Sequence, residues 1–344
     1  SPEKTEHRHL ALAVVAPGRK AAHEDALLRR LKTDLETFAR QILRGHLQFA
    51  ADKAAARPDD SVWIISTRCL GCPCGGKQAE PDFRLRRYDG NCGWQDADWS
   101  DWSAGEQPGT TTVVYVHGNR VEAGEAYGRG LAAYRALTRH AADSQPLRFV
   151  VWSWPSDKLR GPRPKRDARV KASRTPCESF YLAQFLTRLS PDTQLGLLGY
   201  SFGARIVSGA LHLTEGGSLG CLRLPEANPR PAHSVRVAML AGAMNHDWWL
   251  PGHDHGQAWS AIDRLCLMYN TCDPLLRFYP RLERRSRAQA LGYTGFCWPA
   301  SLGDDAWRLE QTDVCCEIGK THDEQAYLAS AAIMGRISET LLAP

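Results

Sequence analysis

QLGLLGYSFGARIVSGALHL, residues 194–213, places a glycine–Xaa–serine–Xaa–glycine pentapeptide between two different rhythms. Before it, QLGLL is a short apolar run of strand length. After it, Ala204–Leu213 spaces its apolar residues as a helix does. A serine at that junction, Ser201, must sit on a tight turn with its hydroxyl clear of the sheet. Gly199 and Gly203 then remove the side chains that would strike the strand and helix on either side. The amide dipoles of the following helix favour negative charge developing beside Ser201.

The flanking sequence continues that alternation. TTVVYV (111–116) is an unbroken β-branched and aromatic run, as expected of a strand covered on both faces. A helical stretch over Glu122–His140 follows, then LRFVVWSW (147–154) as a strand and a helix over about Glu178–Leu189. Further strands are expected at Val235–Leu240, Leu265–Tyr269 and Val314–Ile318, with a last helix over Ala326–Leu342. This predicts an α/β fold with a mainly parallel central sheet and helices on both faces. Ligands in such sheets bind outside the carboxyl ends of the strands.

The N-terminal part reads differently. Leu28, Leu31, Leu35, Phe38 and Ile42 space an amphipathic helix within Glu24–Ala55. Residues 60–105 form a small β-rich, Cys- and Trp-rich stretch beginning with the strand SVWIIST, expected as an antiparallel edge of the sheet. The division expected is therefore 1–105 as an extension packed on the core and 106–344 as the domain that carries the chemistry.

Composition narrows the class. With 43% hydrophobic and 24% charged residues the chain can bury a sizeable core. No apolar run approaches the ~20 residues of a membrane span. A net charge of +5 is too small to imply nucleic acid, but the charge is uneven: eight basic residues against one acid lie between Lys158 and Arg174, with more at Arg281, Arg284, Arg285 and Arg287. Such runs can face an anionic surface or polymer, or simply solvent. Eleven cysteines, with Cys69, Cys72, Cys74 and Cys92 grouped near a glycine-rich CLGCPCGG, favour disulfides over zinc, since no second CxxC pair is present. An exported protein whose targeting segment is absent from this chain is the corresponding expectation.

HGNR (117–120) closes the strand TTVVYV some 80 residues before GYSFG (199–203). Together with acid- and histidine-bearing loops late in the chain, these motifs resemble the α/β-hydrolase superfamily over about residues 110–344. That resemblance implies a nucleophile, acid and histidine in that order, so Ser201, Asp273 in NTCDP after LCLMY, and His322 in GKTHD. Asp273 could instead cap a helix begun by Pro274, and Asp247 is the alternative acid. The oxyanion donors implied are the amides of Phe202 and Asn119, with Arg120 the alternative to Asn119. His117, before the glycine, is expected to be structural.

On this basis the resemblance implies a serine esterase acting on a small ester or acyl substrate, with amide or thioester cleavage open to the same residues and no cofactor required. Two other readings remain. One is a non-catalytic hydrolase-fold module that binds through a basic face. The other is a metal-dependent hydrolase using His246, His253 and His255, although their spacing across Pro251 and Gly252 is irregular. Trp248 and Trp249 are expected either to form a pocket rim or small cap or to be plain core packing. The chain departs from lipase patterns in lacking an HGGG loop, and its basic connection before residue 175 is long.

Overall fold

Apolar runs that allow no solvent-facing side form the centre of a nine-stranded sheet. In the computed structural model, which describes residues 56–74, 80–105, 109–141, 146–159, 164–225, 234–283 and 286–342, every residue of β4 (Thr111–Val116) and β5 (Leu147–Ser153) is buried. The other strands are β1 (Ser61–Ser66), β2 (Arg84–Asp89), β3 (Gly93–Ala97), β6 (Gln194–Tyr200), β7 (Ser234–Leu240), β8 (Arg264–Tyr269) and β9 (Leu309–Asp313). Their spatial order is β3-β2-β1-β5-β4-β6-β7-β8-β9. From β1 through β9 all neighbours are parallel, and β2 and β3 add an antiparallel edge.

The 60–105 stretch thus supplies the antiparallel edge its sequence suggests, through β2 and β3, while β1 lies inside the parallel array against β5. The helix expected over Glu24–Ala55 falls outside the described residues.

The chain adds β5 on one side of β4 and β6 on the other. At that reversal the loops leaving β4 and β6 splay apart, opening a crevice at their carboxyl ends. The helices are α1 (Trp99–Ala104), α2 (Ala123–Thr138), α3 (Pro164–Leu186), α4 (Phe202–Thr214), α5 (Leu291–Thr294), α6 (Cys315–Ile318), α7 (Glu324–Ala329) and α8 (Ala331–Leu342). Helix α4 leaves the crevice directly, with its first residue next to Ser201.

Two expectations need correction. The strand placed at Val314–Ile318 is the short helix α6, and the strand is LEQTD just before it. No residue of β9, at the edge of the sheet, is fully buried, so it carries no apolar run, while buried Val314 belongs to the turn. From Pro164 onward the basic connection before residue 175 is the first half of α3, which runs unbroken through Pro176. Proline cannot donate to the Ala172 carbonyl four residues back. The Thr175 hydroxyl donates to it instead, at 2.8 Å.

The cysteine-rich stretch is tied to the main body by two disulfides, Cys72–Cys177 into α3 and Cys74–Cys221 into the loop after α4. Of the four grouped cysteines, Cys72 and Cys74 thus pair outward, while Cys69 and Cys92 are free. Among the described residues no helix is long and apolar enough to cross a membrane.

Candidate active site

Ser201 sits where the sequence puts it, between the last residue of β6 and the first of α4, at φ 53° and ψ −116°. A positive φ in a non-glycine residue is strained. It is held by its own backbone: the Ser201 amide donates to Leu240 O and its carbonyl accepts from Ala243 N, both at 3.0 Å. The flanking glycines are sterically required. A Cβ on Gly199 would lie 2.6 Å from Ala204 Cα, and one on Gly203 would lie 1.9 Å from Val116 O.

Three side chains from three loops meet at this turn. His322 Nε2 lies 3.0 Å from Ser201 Oγ, and His322 Nδ1 lies 2.6 Å from Asp273 Oδ2. Asp273 is fully buried in the loop after β8. Its other oxygen, Oδ1, accepts from the amides of Leu275 and Leu276 at 2.8 and 2.9 Å. The two sequence readings of Asp273 are therefore compatible, because one oxygen caps the next turn and the other meets the imidazole. The histidine loop is braced in turn. Tyr200 donates its hydroxyl to His322 O at 2.7 Å, and Asn270 Nδ2 donates to Gly319 O at 2.9 Å.

The parallel order about the β4/β6 reversal, with a serine on this elbow and an acid and a histidine from the following loops, decides the architecture. The chain has the α/β-hydrolase fold.

No protein-family model matches the chain, and neither does any curated protein. Among solved structures, Zea mays acyl-protein thioesterase 2 is similar at 15% identity over 69% of this chain and 95% of that one, with a TM-score of 0.36. Two structures of inhibited esterase B from Lactobacillus rhamnosis are also similar. One, described as C6-C4 SN3 inhibited, has 14% identity, covers 80% of this chain and 93% of that one, and has a TM-score of 0.31. The other, a C4-C4 SN3 tributyrin phosphonate complex, has 15% identity, coverage of 76% and 78%, and a TM-score of 0.32.

In this fold the HGNR loop lies across the crevice from the elbow. Arg120 adopts φ 61°, and its amide donates to Ser156 O at 2.9 Å. That amide is therefore occupied. Asn119 and Arg120 are both tethered by their side chains to Asp167 of α3: Asn119 Nδ2 at 3.2 Å and Arg120 Nε at 2.9 Å reach the same carboxylate oxygen. The Leu159 amide binds the other oxygen at 3.0 Å. Burial pushes the Asp167 carboxyl up, but these donors outweigh it and hold it below the usual carboxylate range. His117 is buried and stacked on Trp154, with Nδ1 donating to Gly118 O at 2.9 Å. Burial depresses its pKa to about 3, so it is neutral.

The crevice opens into a cavity of about 630 Å³ that reaches Ser201 and His322, within the roughly 300–1,000 Å³ usual for small-molecule sites. Its apolar wall comes from Leu275, Leu276, Phe278 and Leu282, on and around a 3₁₀ turn at Leu276–Arg281. Of the two alternatives for Trp248 and Trp249, rim or core, the fold takes the core: both are buried. Trp248 packs against His255 and under Arg205, and Trp249 donates to Ser208. The neighbouring histidines separate. His255 meets Ser208 Oγ at 2.7 Å, His253 lies 3.4 Å from Asp247 and His246 lies 3.2 Å from Cys297 Sγ. Among the described residues no group of three or more His, Cys, Asp or Glu side chains is placed to hold a metal, so these donors do not form a ligand set. Asp247, the alternative acid, is spent on His253.

Sequence reasoning missed three features: the 275–282 wall, the Asp167 tether, and a buried cluster in which Glu324 accepts from Tyr115 Oη at 2.5 Å and Arg129 Nη1 at 3.1 Å. The wall had a signal in LLRFYP after Asp-Pro. Asp167 had one as the lone acid in a basic run.

Proposed function

We propose that the chain is a serine hydrolase that cleaves a carboxylic ester through an acyl-enzyme on Ser201. The observation carrying this reading is the continuous chain Ser201 Oγ to His322 Nε2 to His322 Nδ1 to Asp273 Oδ2, at 3.0 and 2.6 Å, opening on a cavity. With Nδ1–H donating to Asp273, Nε2 carries the lone pair that can accept the serine proton.

Ser201 Oγ attacks the acyl carbon as His322 takes its proton. The oxyanion that forms is met by the amides of Phe202 and Asn119; the engagement of the Arg120 amide with Ser156 favours Asn119 over its neighbour. His322 then gives the proton to the leaving oxygen, and the acyl–oxygen bond breaks. Water, deprotonated by His322, resolves the acyl-enzyme and restores Ser201. Buried Asp273 holds the imidazole in one tautomer and stabilises its cation. Thioester or amide cleavage would use the same atoms. The two disulfides support folding in an oxidising compartment, hence export.

A fluorophosphonate probe tests the reading. Stoichiometric labelling of the folded chain, abolished in Ser201→Ala and His322→Ala, is the expected result. Absence of labelling in the folded native chain, together with no ester turnover, would sink it.

A further inference from the structure

The cavity beside Ser201 has two unlike walls. On one side stand Leu275, Leu276, Phe278 and Leu282, with Leu275 58% and Phe278 51% exposed at the mouth. On the other, Lys165 and Arg169 lie one turn apart on α3 and so share a face. Arg281, at the end of the 3₁₀ turn, adds a third cation.

The cations lining this cavity fall into two groups. Arg120 is neutralised by Asp167 at 2.9 Å and Arg129 by Glu324 at 3.1 Å. Lys165, Arg169 and Arg281 are exposed, and among the described residues none has a carboxylate partner; Arg281 instead stands 4.8 Å over the Phe278 ring. Five cationic and two acidic side chains line the cavity, and one of the acids, Glu324, is already paired. The uncompensated charge is thus concentrated at the mouth, next to exposed apolar surface. That combination suits a ligand that is anionic at one end and apolar at the other.

The geometry points to an amphiphilic substrate: an acyl ester or thioester with a linear alkyl chain, whose alcohol or thiol portion carries a phosphate. This rests on the Ser201 reading above. The chain lies on the 275–282 wall, the phosphate lies among Lys165, Arg169 and Arg281, and the scissile carbonyl lies between them at Ser201. Lysine and arginine differ in phosphate geometry, Arg169 and Arg281 being able to bind two oxygens at once. The bond broken is acyl–oxygen or acyl–sulfur, so the phosphate leaves intact on the alcohol or thiol.

Two matched pairs test this with the full chain below micelle-forming concentrations. They are octanoyl glycerol phosphate against octanoyl glycerol, and S-octanoyl phosphopantetheine against S-octanoyl pantetheine. The preferred pair tells whether the phosphate belongs to a glycerol-type or a thiol-type substrate. Within that pair the phosphate-bearing member is expected to show at least about tenfold higher kcat/KM at low salt, the preference shrinking as salt is raised. In K165Q/R169Q and in R281Q that ratio is expected to fall about tenfold. Equal kcat/KM within both pairs, in protein that labels with fluorophosphonate, would overturn the proposal while leaving the hydrolase reading intact. So would a phosphate preference that appears only when the ester is presented in anionic vesicles, which would assign the cations to a membrane surface. Failure to label and to turn over any of the four substrates would remove the hydrolase reading and this proposal with it.

Discussion

His117 and His322 both stand at the carboxyl ends of strands beside Ser201, yet their surroundings give them opposite properties. The His117 ring is stacked on Trp154, its Nδ1 is spent on the neighbouring carbonyl and its Nε2 is buried with no hydrogen-bond partner among the described residues. His322 gives its Nδ1 to a carboxylate and turns Nε2 toward a hydroxyl, with 12% of its side chain open to the cavity. Proximity to a serine therefore says little about a histidine. What accepts from one nitrogen, and what the other nitrogen faces, decides whether the ring can move a proton.

The sharpest way to break this contrast is substitution at both positions. Ser201→Ala and His322→Ala should each lower kcat on an activated ester by about 10⁶-fold. His117→Gln should keep turnover within about tenfold while costing about 1–3 kcal/mol of stability, read as a lower Tm. Equal losses at 117 and 322 in folded protein would erase the distinction. Asp273→Asn comes next, with an expected loss of about 10⁴ in kcat, since the amide favours the wrong tautomer. Asp167→Asn probes the His117 side, where the loop is positioned from α3. A loss of about ten- to hundredfold, expressed in kcat more than in KM, would mark a misplaced oxyanion donor, whereas an unchanged kcat with a lowered Tm would mark a purely structural tether.

The smallest effect concerns a buried acid that lies away from the site. Burial pushes the Glu178 carboxyl up to about 7, against the hydrogen bond from Thr67 and the charges of Arg174 and Arg68. Because the folded state holds this proton more tightly, its contribution to stability is fully present below about pH 4.5 and is lost as pH rises through about 7. The loss amounts to about 3 kcal/mol. Glu178→Gln should therefore raise Tm at pH 8 and change it little at pH 4, checked by thermal melts at the two values. A similar Tm shift at both pH values would contradict this origin.

Much of the architecture was legible because central parallel strands leave no polar side: TTVVYV and LRFVVWS are buried throughout, and their sequences are correspondingly unbroken. The elbow was legible because steric need fixes both glycines around Ser201. Asp273 and His322 came from the resemblance and their place after late strands, and the folded chain brings them within hydrogen-bonding distance of each other. The edge strand LEQTD was not legible, since none of its residues is fully buried and polar ones are therefore permitted on both faces. Nor was the Asp167 tether, which depends on residues about 47 positions apart; for Trp248 and Trp249 the sequence left rim and core both open, and what α4 presents to them decides for the core. Local pattern carries backbone geometry well and says little about which distant side chain completes a contact.

The two disulfides impose an order of events on biosynthesis. Cys72 and Cys74 precede their partners by 105 and 147 residues. At a synthesis rate of about 5–20 residues per second, Cys72 waits roughly 5–20 s for Cys177 to follow it. Disulfides can form on a timescale of seconds, and Cys69 and Cys92 lie much closer in the chain than the true partners do. Oxidation in order of emergence would join neighbours in the CLGCPCGG stretch and trap the wrong connectivity. Maturation therefore requires either thiols kept reduced until α3 and the loop after α4 have formed, or exchange that undoes the early pairs. Recombinant yield should depend on a disulfide isomerase more than on a stronger oxidant.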